Sequence, residues 1–140
     1  MFKNICVIDG RGGGIGASII KYLRAEFEEN IELLALGTNV IATSQMLRAG
    51  ANKGGSGENA ICLNAAKADC IVGTISITWA NSMLGELTPN MARAVTSSPA
   101  VKILIPLCQE PIEIIGTSDE PLPHLLEKMV KKIKEMIKNV

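Results

Sequence analysis

Ile5-Cys6-Val7-Ile8-Asp9-Gly10-Arg11-Gly12-Gly13-Gly14-Ile15-Gly16 is the stretch that decides the fold. Ile5 to Asp9 is a short apolar run closed by a glycine, which is how a buried strand reads. After the glycines, Ile19, Ile20, Leu23 and Phe27 recur on one face at helical spacing. Strand, glycine loop and helix make the opening unit of a Rossmann-like α/β fold, and the loop lies where a phosphate-binding turn belongs. Glycines let the backbone bend sharply and approach a ligand, and the unpaired amides and dipole of the helix attract negative charge.

Outward from this unit the alternation continues. Ile31 to Leu36 reads as a second strand, and Thr38-Asn39 offers an N-cap for a helix that runs to Gly50. Ala51 to Gly57 is glycine-rich and reads as a loop, from which Ser56 caps a helix over roughly Glu58 to Lys67. Ile61 to Leu63 is short enough to fit a strand as well, and helix is the favoured reading. Asp69 to Gly73 is a buried strand, followed by a loop from Thr74 to Ser76 and a helix within Thr78 to Leu84. Thr88-Pro89, a capping residue with proline at the first helical position, starts another helix that ends near Ser97-Ser98-Pro99.

Lys102 to Leu107 and Ile112 to Gly116 read as strands separated by too few residues for a parallel crossover. They are expected to form an antiparallel hairpin at one edge. Leu122, Leu125, Leu126, Met129, Val130, Ile133, Met136 and Ile137 form one stripe of a closing helix whose lysines lie off it. The expected architecture is a three-layer, mainly parallel sheet of about five strands with that edge hairpin. No repeat, linker or low-complexity tract interrupts the 140 residues, so residues 1–140 read as a single domain.

Composition narrows the function classes. Fourteen basic and fourteen acidic side chains cancel, so the chain lacks the positive field that nucleic acid or an anionic membrane requires. No apolar run approaches the roughly 18 residues of a spanning helix. The start, Met1 to Ile5, leads into a strand and not a signal-peptide core, and a cytoplasmic location follows as the expectation. Apolar residues make up 47% and aromatic residues 3%, which calls for an aliphatic core and suggests an apolar surface patch of a homo-oligomer. Cys6, Cys62, Cys70 and Cys108 are scattered without metal or redox spacing and read as buried thiols. His124 is the only histidine and has no metal-ligand neighbour, so no metal site is expected.

Two registers fit the glycine cluster. Gly12, Gly14 and Ala17 match G-x-G-x-x-A, whereas Gly10, Gly14 and Gly16 match G-x-x-x-G-x-G, which resembles the nucleotide loop of short-chain dehydrogenases. That resemblance covers about the first thirty residues and implies nucleotide binding by Gly10 to Gly16, with Arg11 on a phosphate. It does not extend to hydride transfer. Gly37-Thr38-Asn39 stands where a dinucleotide site has its ribose-binding acid, and the lone Tyr22 has Glu26, not lysine, four residues on.

Gly10 to Gly16, Ala35 to Asn39, Gly57 to Ala60, Asn81 to Glu86 with Thr88-Pro89, and Ile103 to Pro106 together resemble a small bacterial family of unknown function over nearly the full chain. This second resemblance implies one domain and bacterial origin and carries no activity.

The expected ligand is a small anion, a nucleotide or another phosphate-bearing molecule. Its expected contacts are Asp9, Gly10, Arg11, Gly12, Gly13, Gly14, Ile15 and Gly16 from the first loop, Thr38 and Asn39 from the second, and Asn81, Ser82 and Glu86 from the third. Asp9 is read first as an acceptor for loop amides, with Mg²⁺ ligation or phosphoacceptor chemistry as rarer roles. Two other functions fit the same sequence: an enzyme with a nicotinamide-type cofactor, and a homo-oligomeric interaction protein without a small-molecule site. No catalytic residue is assigned.

Overall fold

The structure, a computed structural model, describes residues 4–138. Its sheet is entirely parallel, in the order β3-β2-β1-β4-β5. β1 (Ile5–Asp9) is central, with β2 (Leu33–Gly37) and β3 (Lys53–Ser56) to one side and β4 (Cys70–Thr74) and β5 (Val101–Ile105) to the other. The expectation that the chain start leads into a strand holds from Ile5, and Met1 to Lys3 lie outside the described residues.

Side chains alternate across β1, and this alternation builds two cores. Ile5 and Val7 pack with Ile19, Ile20 and Leu23 of α1 (Gly14–Phe27), Met46 of α2 (Val40–Arg48) and the stripe Leu126, Met129, Val130 and Ile133 of α5 (Leu122–Lys138). Cys6 and Ile8 pack on the other face with Ile61 and Ala65 of α3 (Glu58–Ala65) and Met91, Ala92 and Val95 of α4 (Pro89–Ser97). Helices therefore cover both faces, and the winding direction reverses between β1 and β4. In open α/β sheets this reversal leaves a crevice at the carboxyl ends of the strands, where ligands bind.

The edge hairpin is not present. Residues 112–116 form no strand, residues 113–116 are exposed, and the chain there bonds to itself through Ile112 N–H to Glu110 O (2.7 Å) and Thr117 N–H to Ile114 O (3.4 Å). Pro106 and Pro111 flank the segment after β5 and have no N–H for a ladder. The fifth strand is β3, cut from the stretch that reads as a loop. It pairs Leu34 with Lys53, Ala35 with Gly54 and Leu36 with Gly55. Its glycines follow from packing, because a Cβ on Gly54 would come within 2.7 Å of Thr43 Cγ2.

Further local differences have similar causes. The expected helix within Thr78 to Leu84 is replaced by a 3-10 turn, Ile75–Thr78, and a run of tight turns in which Asn81, Met83 and Leu84 have positive φ. α3 confirms the helical reading of Ile61 to Leu63, but its N-cap is Gly57, because Ser56 Oγ lies 2.7 Å from Thr43 Oγ1. Asn39 and Thr88 cap α2 and α4 as their positions predict. Cys6 and Cys70 are buried, and burial pushes both thiols up to about 12, whereas Cys62 and Cys108 are half-buried. Large apolar side chains also stand exposed, Val40 and Ile41 side by side on α2 and Leu84 and Ile115 in loops. No helix among the described residues is long and apolar enough to cross a membrane.

Thr43 ties β2 to the edge strand. Its buried hydroxyl accepts from Gly37 N–H (3.1 Å) and lies within reach of Gly55 O and Ser56 Oγ. Thr43→Val keeps the shape and removes the hydroxyl, leaving buried polar groups without their partner at a cost of about 1–2 kcal/mol. The expected result is a lower urea midpoint with an unchanged slope; an unchanged midpoint would mean water replaces the hydroxyl.

Candidate functional site

The β1–α1 loop is built by its own chain's needs before any ligand is considered. Gly13 is the N-cap of α1 at φ 75°, and a Cβ there would lie 2.8 Å from the Ala42 backbone. A Cβ on Gly16 would lie 2.8 Å from Asp9 Cβ, so this glycine lets α1 press against the end of β1. Gly10 is roofed by the turn after β4 and the loop after β2, since a Cβ would come within 2.5 Å of Met83 Sδ and 2.6 Å of Thr38 Oγ1. Gly12 and Gly14 differ. Neither has a positive φ, and a Cβ on either would meet nothing within 4 Å.

Protein acceptors claim part of the loop's amides. Asp9 Oδ1 accepts from Gly10 N–H (2.8 Å) and Oδ2 from Gly16 N–H (2.7 Å), so this carboxylate sits on the first turn of α1. Glu86 Oε1 accepts from Arg11 N–H (2.8 Å), and Gly10 O accepts from Gly13 N–H (3.0 Å). The amides of Gly12, Gly14 and Ile15 have no protein acceptor among the described residues. Those of Gly14 and Ile15 are orphan donors that a helix start leaves behind, and that of Gly12 comes from the loop just before the N-cap Gly13.

These residues border a cleft of about 430 Å³ at the carboxyl ends of β1, β4 and β5. One wall is Asp9 to Ile15, and the other comes from Thr74, Ser76, Met83 and the segment Leu107 to Glu110. Ser76 Oγ donates to Glu110 Oε1 (3.0 Å) across the two strand ends. Thr74 is largely buried, but its hydroxyl is not sealed off: it has no protein partner among the described residues and stays open to solvent.

Glu86 is the second organising group. Besides Arg11 N–H, its Oε1 accepts from Thr38 Oγ1 (2.6 Å) and Asn39 Nδ2 (3.0 Å), and Asn39 Nδ2 also donates to Arg11 O (3.0 Å). A single carboxylate oxygen thus staples the turn after β4 onto the loops after β1 and β2. These donors hold its carboxyl below the usual glutamate range, Thr38 first and the Arg11 amide next. Asp9 is shifted the other way: burial raises its carboxyl, the Gly16 and Gly10 amides partly offset that, and the charge of Glu86 adds to the rise.

The structure distributes the residues picked from sequence into groups. Asp9, Gly10, Arg11, Gly12, Gly13, Gly14 and Ile15 line the cleft, and Gly16 holds Asp9 from behind. Thr38, Asn39 and Glu86 form the staple beside it. Ser82 is buried with its hydroxyl on Ser76 O (2.6 Å), and exposed Asn81 is in the tight turn with its amide on Leu87 O; neither lines the cleft. Thr74, Ser76, Met83, Leu107, Cys108, Gln109 and Glu110 line it without having been singled out. Their signal was present, because Thr74 and Cys108 each directly follow a stretch that reads as a strand, where ligand-facing loops begin. Among the described residues no group of three or more His, Cys, Asp or Glu side chains is placed to hold a metal.

No curated protein matches the chain. Two solved structures resemble it distantly. One is a dodecameric FMN-dependent UbiX-like decarboxylase from Escherichia coli O157:H7, at 12% identity over 96% of this chain and 94% of that one, with a TM-score of 0.48. The other is a universal stress protein in complex with cAMP, at 21% identity over 74% of this chain and 97% of that one, with a TM-score of 0.41. Residues 4–138 match the family described as Domain of unknown function (DUF3842), so the chain belongs to that family.

Proposed function

We propose that the protein binds a phosphate-bearing small molecule, a mononucleotide-sized ligand, in the cleft between the β1–α1 loop and the ends of β4 and β5. The observation that carries this reading is the set of free amides at Gly12, Gly14 and Ile15, which open on a cleft at the point where the sheet's winding reverses. Amides at a helix start favour an anion, and Arg11 on the same wall adds a full positive charge. The open space at Gly12 and Gly14 supports the same reading. Nothing in the chain itself demands glycine there, whereas a phosphate resting on the backbone would.

A dinucleotide fits this arrangement poorly. Its second half would lie over the end of β2, where the turn carrying Met83 and Glu86 is stapled to Thr38 and Asn39. The reading therefore favours a mononucleotide over NAD-type cofactors and assigns no reaction.

A thermal-shift panel of NAD, NADP, FMN, ATP, GTP, cyclic nucleotides, coenzyme A and inorganic phosphate, with and without Mg²⁺, tests it. A ligand at a hundred times its dissociation constant stabilises the fold by about 2.7 kcal/mol. Gly14→Val supplies the control. Its side chain enters open space at the first position of α1, so the unliganded melting temperature is expected to hold within a few degrees while the ligand shift is lost. A full shift retained in Gly14→Val would place the ligand elsewhere.

A further inference from the structure

The wall facing the free amides has a polarity of its own. Glu110 reaches the cleft from the segment after β5, and Ser76, buried in the 3-10 turn after β4, donates its hydroxyl to Glu110 Oε1 at 3.0 Å. The Ser76 backbone is anchored in turn, its carbonyl accepting from Ser82 Oγ (2.6 Å) and Trp79 N–H (3.1 Å). One carboxylate oxygen is thus fixed by the protein, and Oε2 has no partner among the described residues. Beside it, Thr74 lines the same cleft, and its hydroxyl, open to solvent, has no protein partner among the described residues. An ionised carboxylate accepts hydrogen bonds and donates none, and the Ser76 hydroxyl already donates its hydrogen bond to Glu110. Glu110 Oε2 asks for a donor, the opposite of what the amide wall asks for, and the Thr74 hydroxyl serves as either.

We propose that Glu110, positioned by Ser76 and assisted by the Thr74 hydroxyl, binds the hydroxyls of a ligand whose phosphate rests on the Gly12, Gly14 and Ile15 amides, which makes the ligand class a phosphate monoester of a vicinal diol, with a ribonucleoside 5′-monophosphate as the form that fills the cleft. The inference rests on the functional reading above for the phosphate end and adds the group that selects the sugar. Ile15, Met83 and Leu107 complete the lining with apolar surface suited to a base.

The test is calorimetric titration of the full chain with the 5′-monophosphates of adenosine, guanosine, cytidine and uridine, their 2′,3′-dideoxy counterparts, and ribose 5-phosphate. The expected result is binding of at least one ribonucleotide, with the matching dideoxynucleotide weaker by about tenfold or more, the worth of a hydrogen bond to a charged acceptor. Ribose 5-phosphate separates the sources: binding as tight as the ribonucleotide assigns the site to sugar phosphates, and weaker binding assigns it to nucleotides. In Glu110→Ala the preference for ribose over dideoxyribose is expected to vanish, and Ser76→Ala to reduce it. If ribo and dideoxy forms bind wild type equally while Gly14→Val abolishes both, the phosphate site stands and the role of Glu110 is overturned. If none of the probes binds, both fall.

Discussion

Asp9→Ala is expected to destabilise the protein by about 3 kcal/mol, because it leaves the Gly10 and Gly16 amides without an acceptor where water reaches poorly. In a chain of this size that lowers the melting temperature by roughly 10 °C. Asp9→Asn is milder, since an amide oxygen still serves one of the two donors. The two variants also separate the charge of Asp9 from its geometry. Burial raises the carboxyl in the folded protein, so the folded chain holds this proton more tightly than the unfolded chain does. Its contribution to stability is full below the ordinary aspartate value of about 3.9 and is lost as pH rises through the folded value. Wild type is therefore expected to gain on Asp9→Asn as the pH is lowered from neutral toward 4. Parallel stability curves for the two proteins would show that the carboxyl is not shifted.

Glu86→Ala is the second large effect, and its pH dependence has the opposite sign. The substitution removes the acceptor shared by Arg11 N–H, Thr38 and Asn39, and releases a turn that already holds Asn81, Met83 and Leu84 at positive φ. Because these groups are partly open to water, the stability cost is expected to be only about 1–2 kcal/mol. The larger consequence is local. Hydrogen exchange should rise across 79–87 and at Arg11, and affinity for the cleft's ligand should drop, since the loop that carries the free amides loses its tether. Glu86→Gln keeps an acceptor oxygen and should retain most of both. The donors hold the Glu86 carboxyl below its usual range, so its contribution is present above about pH 4.3 and is lost as pH falls through the folded value. Unchanged exchange at 79–87 in Glu86→Ala would mean the turn is held by the packing of Met83 and Leu87 instead.

The parts of the fold that the sequence made legible are those where local chemistry and global packing agree. Ile5 to Asp9, the glycine cluster and the stripe of α1 announce themselves because apolar period and turn residues change together at Gly10. Thr88-Pro89 is legible for the same reason. β3 is not, since Lys53-Gly54-Gly55-Ser56 has no apolar side chain to mark a strand, and the close packing of Gly54 under Thr43 and Leu47 exists only in the folded chain. Ile112, Ile114 and Ile115 misled in the other direction, as apolar residues that look like a strand but have no partner strand beside them.

The site divides along the same line. Its amide wall is contiguous in sequence and was visible as Gly10 to Gly16. Its facing wall is assembled from Thr74, Ser76 and Leu107 to Glu110, which only the β4–β5 pairing brings together. Glu86 was visible as a polar residue after a strand, but its staple needs Thr38 and Asn39 from nearly fifty residues away.

Phosphate binding on the loop amides is tested by an amide-resolved NMR titration with inorganic phosphate and with adenosine 5′-monophosphate. The largest shifts are expected at the amides of Gly12, Gly14 and Ile15. Gly10, Arg11, Gly13 and Gly16, whose amides already bond to Asp9, Glu86 and Gly10 O, should move less. Saturating shifts elsewhere on the surface, or no response at Gly12, Gly14 and Ile15 to either probe at millimolar concentration, would contradict it.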